Sequence, residues 1–296
     1  MSAKHAILLR KAFAAYQTRM DAGGLEPATR YLPYDFDDIK RRQWYLMGEE
    51  MVLDELRELT NILNHWQGSL KRWQAWNEVI EAYGQDDAWD LRREFLEPLA
   101  HQCLLSPSAA RDTLTFVATN SMHQVRLVGG GTYKDFLEGD PIAPRKKPRN
   151  LTRAQKEQRL RQILTPCQEA DGFMDALQRI DDRHYRDATS DYRNRSSHAI
   201  APRLARGHTR AVVRSVVPAT KMKEQPDGTF KPTPIPGKMA VSYGFGGTPP
   251  LDMEVARTEN LEQYLRARAC CDGYRQLLSL GLTGLPLSKR INKVSI

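Results

Sequence analysis

The sequence predicts a mainly α fold in two helical parts, with one small β-hairpin excursion. Three observations carry this. Apolar residues recur at spacings of three and four over 39–84, the same helical period returns over 151–188 and 251–282, and only 208–246 is rich in β-branched and aromatic residues between turn signals.

The first 130 residues read as helix. Between Ile39 and Gly84, Leu46, Met51, Leu56, Leu63, Leu70 and Ile80 mark one face of an amphipathic helix, either continuous or broken near Gly68. Trp66, Trp73 and Trp76 fall on that period and are read as core rather than as a platform for bases. A further helix covers 86–105, stops near Ser106-Pro107-Ser108, restarts with Ser108 as N-cap and closes at the glycines 129–131. That glycine triplet lacks the spacing of a dinucleotide loop and reads as a break.

Residues 139–150, with three prolines and several basic residues, read as a linker. The expected division is therefore 1–138, an N-terminal helical region, and 151–296, a second helical domain. Thr152 opens a helix that stops at Pro166, and a second helix follows with Phe173, Met174, Leu177, Ile180 and Tyr185 on its apolar side. A third, about 189–206, has Ser190 as its candidate N-cap and Gly207 as its C-cap. Strands at 208–217 and 238–246 form the hairpin, and a final helix turns Val255, Leu261, Tyr264, Leu265, Tyr274, Leu277 and Leu278 inward.

Composition narrows the function classes. The chain has 296 residues and a net charge of +8, which fits an anionic partner. No apolar run approaches a membrane span, and the start is recharged too soon for a secretory signal, so the expectation is a cytoplasmic protein without a membrane partner. Cys103, Cys167, Cys270 and Cys271 match neither a disulfide framework nor zinc spacing, and no carboxylate cluster suits two metals. No metal and no cofactor is expected, and Asp181 and Asp182 are read as capping or surface charges.

The chemistry concentrates in Asp191-Tyr192-Arg193-Asn194-Arg195-Ser196-Ser197-His198. Metal-free RNA cleavage needs a base for the 2′-hydroxyl, an acid for the leaving 5′-oxygen and a cation for the pentacoordinate phosphate; histidine and arginine supply these. Five residues on an ideal helix is about 140° of rotation, so Arg193 and His198 share no face by geometry alone. The spacing recurs at Arg179 to His184 and Arg203 to His208, but only Arg193 is followed directly by a polar residue.

Arg193, the polar Asn194 and His198, preceded by Tyr192 within a helical region, resemble the R-x4-6-H motif of HEPN ribonucleases (higher eukaryotes and prokaryotes nucleotide-binding). The resemblance covers about 152–206 and the final helix. It implies a helical bundle of HEPN type with the hairpin as an insertion, a homodimer whose two motifs face one composite site, and metal-independent endoribonuclease activity on RNA (tRNA or mRNA). It also implies a toxin or phage-defence role with an antitoxin or regulatory protein as a further partner. By the same resemblance Arg193 holds the scissile phosphate, His198 is acid or base, and Asn194 supports the geometry.

Arg195, Tyr192, His184, Arg203 and His208 are the candidate RNA-binding residues around the motif. Ile200 stands where some HEPN toxins carry a tyrosine that accepts a nucleotide, so that control is not expected. Three other readings stay open: an RNA-binding or interaction module without catalysis, a structural helical protein that dimerises through its aromatic faces, and a salt-bridged solvated helix in which Asp187 and Asp191 lie close to Arg193 and Arg195.

Overall fold

A computed structural model describes residues 3–143 and 146–288; Pro144 and Arg145 of the expected linker, and the ends 1–2 and 289–296, lie outside them. The described residues are mostly helical, with one two-stranded antiparallel sheet. They form two compact units: residues 1–189 with 254–296, and residues 190–253.

In the first unit, α1 (Ala3–Asp21) lies against α3 (Gly48–Glu81), with α2 (Asp37–Lys40) between them in sequence. Tyr16 stacks on Trp76, and Trp76 on Phe95, at ring separations of 4.6 and 4.2 Å. Trp66, Trp73 and Trp76 are buried, as their helical spacing predicts. The helix α3 runs unbroken through Gly68.

The expected break at Ser106-Pro107-Ser108 does not occur. Helix α4 (Gln85–Leu91) passes through a π-helical turn, Arg92–Leu96, into α5 (Glu97–Val128), which contains Pro107 in its interior. Proline removes the N–H that would bond the carbonyl four residues back, here Cys103. That carbonyl instead accepts a 2.7 Å hydrogen bond from Asn260 Nδ2, and Tyr185 Oη donates to the Leu104 carbonyl at 3.3 Å. Ser108 is not an N-cap; its hydroxyl accepts from Arg153 Nη2 at 2.6 Å. Helix α5 ends at Gly129, where Gly130 and Gly131 take φ of +74° and +82°, as the triplet predicts.

Thr152 starts α6 (Arg153–Leu164) with a reciprocal capping box to Gln155. The expected second helix is two, α7 (Ala170–Gln178) and α8 (Arg183–Ala188). Asp181 sits between them at φ +53°, and Asp182 caps α8 by accepting from the Tyr185 N–H at 2.9 Å. Asp181 is buried with Arg153 and Arg186 on its carboxylate, at 2.5 and 3.1 Å. Arg111 and Glu157 form a second buried pair at 2.8 Å, with Arg111 also donating to the Ile180 carbonyl. These pairs join α5 to α6 and to the α7–α8 turn, so 139–150 is no boundary between the units: both of its sides belong to the first.

Helix α10 (Met253–Thr283) completes this core from Glu254 onward. Tyr264, Tyr274, Leu277 and Leu278 are buried as expected, whereas Val255 and Leu265 are exposed and the polar Asn260 and Gln263 take inner positions. Their polar atoms have partners: Trp66 Nε1 donates to Asn260 Oδ1 at 2.8 Å, and the Asp181 N–H donates to Gln263 Oε1 at 2.7 Å. All four cysteines are free. Cys103, Cys270 and Cys271 are buried, and burial pushes the Cys103 and Cys271 thiols up to about 12.

The second unit holds α9 (Tyr192–His198) and the hairpin of β1 (Val212–Glu224) and β2 (Phe230–Phe245). The expected helix over 189–206 stops at His198, because Pro202 disfavours helical backbone just before it and the chain runs extended through an isolated bridge, Leu204 to Leu251. Gly207, at φ +85°, follows this extended segment rather than a helix. Ser190 is not the N-cap either; Asp191 is, without a side-chain capping bond. The strands are longer than the expected 208–217 and 238–246, since Pro232 and Pro234 are accommodated in the paired strand and the turn shrinks to 225–229.

Two stability predictions follow from the first unit. Asn260→Ala leaves the Trp66 N–H and the Cys103 carbonyl without their buried partner and costs about 3–5 kcal/mol in urea unfolding. Pro107→Ala restores the backbone donor, so in a double-mutant cycle it recovers about 1 kcal/mol of that loss. Glu55, half-buried and hydrogen-bonded only through Asn120 Nδ2, has its carboxyl pushed from 4.5 to about 7 by burial. Its proton therefore stabilises the fold below the unfolded value, and that contribution is lost as pH rises from about 4.5 to about 7. Glu55→Gln removes this loss and is more stable than wild type by about 1–2 kcal/mol above neutrality, screening included, while matching it near pH ~4.

Candidate functional site

The motif helix α9 has only seven residues, and its side chains divide sharply in what they do. Arg195 is committed to structure: Nε donates to the Ile200 carbonyl at 3.2 Å and Nη2 to Thr248 Oγ1 at 2.6 Å. These bonds clamp α9 onto the segments that enter and leave the hairpin. Asn194 is exposed, and its Nδ2 donates to Asp191 Oδ2 at 3.0 Å. Ser196 Oγ turns back to the Arg193 carbonyl at 3.0 Å.

Arg193 is half-buried and His198 exposed, and neither side chain has a hydrogen bond or ion pair among the described residues. Asp187 meets Arg183 at 3.5 Å within the first unit. Asp191, the acidic neighbour within this unit, is bonded to Asn194. The angular separation of Arg193 and His198 on the helix stands, so one copy of α9 presents an arginine and a histidine side by side in sequence and not face to face.

The flanking candidates fall into distinct places. Tyr192 is buried, so its ring is not offered to a base. Arg203 and His208 are exposed on the return segment, with the Arg203 stem lying over Gly207, where an added Cβ would meet its Cδ at 2.9 Å. Thr209 is buried and holds this segment: its Oγ1 accepts from the Arg203 N–H and donates to the Ala201 carbonyl, and its backbone exchanges bonds with Thr248. Gly247 makes that exchange possible, since a Cβ there would sit 3.0 Å from the Thr209 carbonyl oxygen at a φ of +152°. His184 belongs to the first unit, where its Nε2 lies 3.5 Å from Glu259.

Charge is the feature of this unit that residue-by-residue reading underweights. Residues 190–253 contain ten Lys and Arg against four Asp and Glu, a net +6 of the chain's +8. Lys221, Lys223 and Lys231 are exposed on one face of the hairpin, and Lys223 stands directly across from Lys231. Like charges in opposed strand positions repel unless an anion or water separates them.

Comparison with protein-family models, with curated proteins and with solved structures finds no match.

Two clusters in the first unit escaped the sequence reading. His123 is 3% exposed and bridges the chain after α5, with Nδ1 2.7 Å from Tyr133 Oη and Nε2 2.9 Å from Asp135, while Arg126 covers the Tyr133 ring at 4.0 Å. A nucleophile, base and carboxylate in this order resemble a catalytic relay, but the imidazole is enclosed, so the arrangement tethers residues 133–135 to α5. A groove of about 690 Å³ between α1 and α4 carries Lys4, His5 and Lys11 beside Asp86, Asp87 and Asp90, a lining of mixed charge in which His5 Nδ1 lies 3.3 Å from Asp90. Among the described residues no three His, Cys, Asp or Glu side chains gather as metal ligands.

The clamp predicts an asymmetry within the motif. Arg195→Ala lowers amide-exchange protection of α9 and of residues near Thr248 by about 1–2 kcal/mol, whereas Asn194→Ala, which breaks only an exposed bond, changes it by less than about 0.5 kcal/mol.

Proposed function

We propose that this chain is a metal-independent endoribonuclease that binds RNA through residues 190–253, with Arg193 and His198 at the scissile phosphate. The observation that carries the reading is the concentration of positive charge in the unit that holds the motif, together with the availability of both side chains when Arg195 beside them is held through Nε and Nη2.

In this mechanism a neutral imidazole takes the proton from the 2′-hydroxyl, the 2′-oxygen attacks phosphorus, and the bond to the 5′-oxygen breaks as that oxygen gains a proton from an acid. The products are a 2′,3′-cyclic phosphate and a 5′-hydroxyl. A guanidinium holds two non-bridging oxygens and offsets the charge of the pentacoordinate state. One histidine serves as base or acid; a second copy of the motif supplies the other role, which agrees with the composite site implied by the HEPN resemblance. Asn194 steadies the start of α9 through Asp191. Arg203, His208 and the hairpin lysines carry the flanking phosphates, each as a screened, salt-sensitive contact. A toxin or defence role, with an antitoxin or regulator as partner, belongs to the same proposal and rests on the resemblance alone.

A second reading, an RNA-binding module without catalysis, is favoured by the angular separation of Arg193 and His198 on one helix. Both are decided by incubating total tRNA and mRNA with the full chain in EDTA. The ribonuclease reading predicts cyclic-phosphate ends and a loss of about 10²-fold or more in rate for Arg193→Ala and His198→Ala, with RNA affinity kept within about threefold for His198→Ala. His184→Ala leaves the rate within about twofold. Binding that weakens steeply with salt, without cleavage, establishes the module instead.

A further inference from the structure

The hairpin presents two unlike faces. Antiparallel pairing places Val212 opposite Phe245, Val216 opposite Val241, and Arg214 and Pro218 opposite Tyr243 and Met239, all on one side. The other side carries Ser215 opposite Ser242 and Val217 opposite Ala240, then the lysines. On the first side the large residues are open to solvent, with Phe245 98% and Tyr243 70% exposed. A two-stranded ribbon of this length is marginal in water until one face is covered.

We infer that this apolar face docks on the same face of a second copy of the chain, about a two-fold axis passing near the Val216–Val241 pair. This goes beyond the ribonuclease reading and does not depend on it. Three observations select a second copy as the occupant. The first is area: with ordinary side-chain areas the face offers roughly 700–900 Å² per copy, so a symmetric pair buries about 1,400–1,800 Å², within the range of stable interfaces.

The second is shape. Over the stretch that precedes the register shift after Pro218, the end with Tyr243 and Phe245 is bulky and the end with Pro218 and Met239 is lower. A two-fold axis at the centre lays each bulky end on the partner's low end, and two ribbons stacked in this way form the smallest sheet-on-sheet layer, about 10 Å thick.

The third is chemistry. Arg214 is the one charged residue on this side over Val212–Pro218 and 239–245, and its stem lies in the apolar row. Such a face cannot satisfy a phosphate backbone, and it leaves the lysine face pointing outward. Strand addition at the edge is the competing mode, and Pro218, Pro232 and Pro234 each lack the N–H it would need.

The test is the solution mass of the full chain at about 50 μM, where an interface of this size is occupied. Wild type is expected at twice 33.8 kDa, the combined Val216→Asp and Val241→Asp variant at 33.8 kDa, and Ser215→Asp with Ser242→Asp, on the opposite face, unchanged from wild type. A monomeric wild type, or a dimer that survives the Val216 and Val241 changes, overturns the proposal. Because an aspartate pair can also unfold the ribbon, Val216→Cys is oxidised in parallel. It is expected to form a disulfide between copies, and cross-linking no faster than for Ser215→Cys overturns the assignment of the face.

Discussion

The helical core depends on one carbonyl oxygen. Pro107 in the middle of α5 leaves Cys103 without its usual backbone donor, and Asn260, 0% exposed, brings the amide that replaces it. The same amide group donates to Tyr185 Oη at 2.9 Å and accepts from Trp66 Nε1, so one side chain from α10 satisfies α3, α5 and α8 together. In a low-dielectric interior each of these bonds is strong and each orphaned partner is expensive. The burial that encloses them drives the Tyr185 hydroxyl far above its ordinary value, keeping it a neutral donor.

Around this point the core tolerates charge only in compensated form. Arg111 with Glu157, and Asp181 with Arg153 and Arg186, are buried or half-buried pairs that also satisfy backbone carbonyls and a serine hydroxyl. Such pairs add little net stability over apolar residues, but removing one member leaves a stranded charge, so they fix which turn meets which helix. The unit of residues 190–253 follows the opposite rule. Its cations are mostly exposed and unbalanced, a distribution that favours long-range attraction of an anion over local order.

Much of the helical architecture is legible in the sequence because it rests on local patterns: the tryptophans at helical spacing, the Thr152 box and the glycines after Val128. What escapes is non-local. Pro107 reads as a helix stop until Asn260, far along the chain, supplies the missing donor. Asn260 and Gln263 leave no trace in the pattern because periodicity counts only apolar positions. The linker at 139–150 reads as a boundary because composition cannot reveal that α6, α7 and α8 bury their faces against α5. At the candidate site a helix over the motif is legible in the sequence, but its ends and caps are not, and neither is the engagement of Arg195, which turns on Thr248 and Ile200 returning past α9.

The separation between Asn260 and its partners has a consequence for synthesis. Cys103 and Trp66 precede it by 157 and 194 residues, with all of 190–253 in between. As the chain emerges from the ribosome, α3, α5 and α8 are available long before α10, and their inward polar groups wait unsatisfied through the whole of the intervening unit. Closure of the helical core therefore waits for α10, which is made only after residues 190–253. Fragments ending before residue 260 lack the side chain that satisfies Cys103, Tyr185 and Trp66 together.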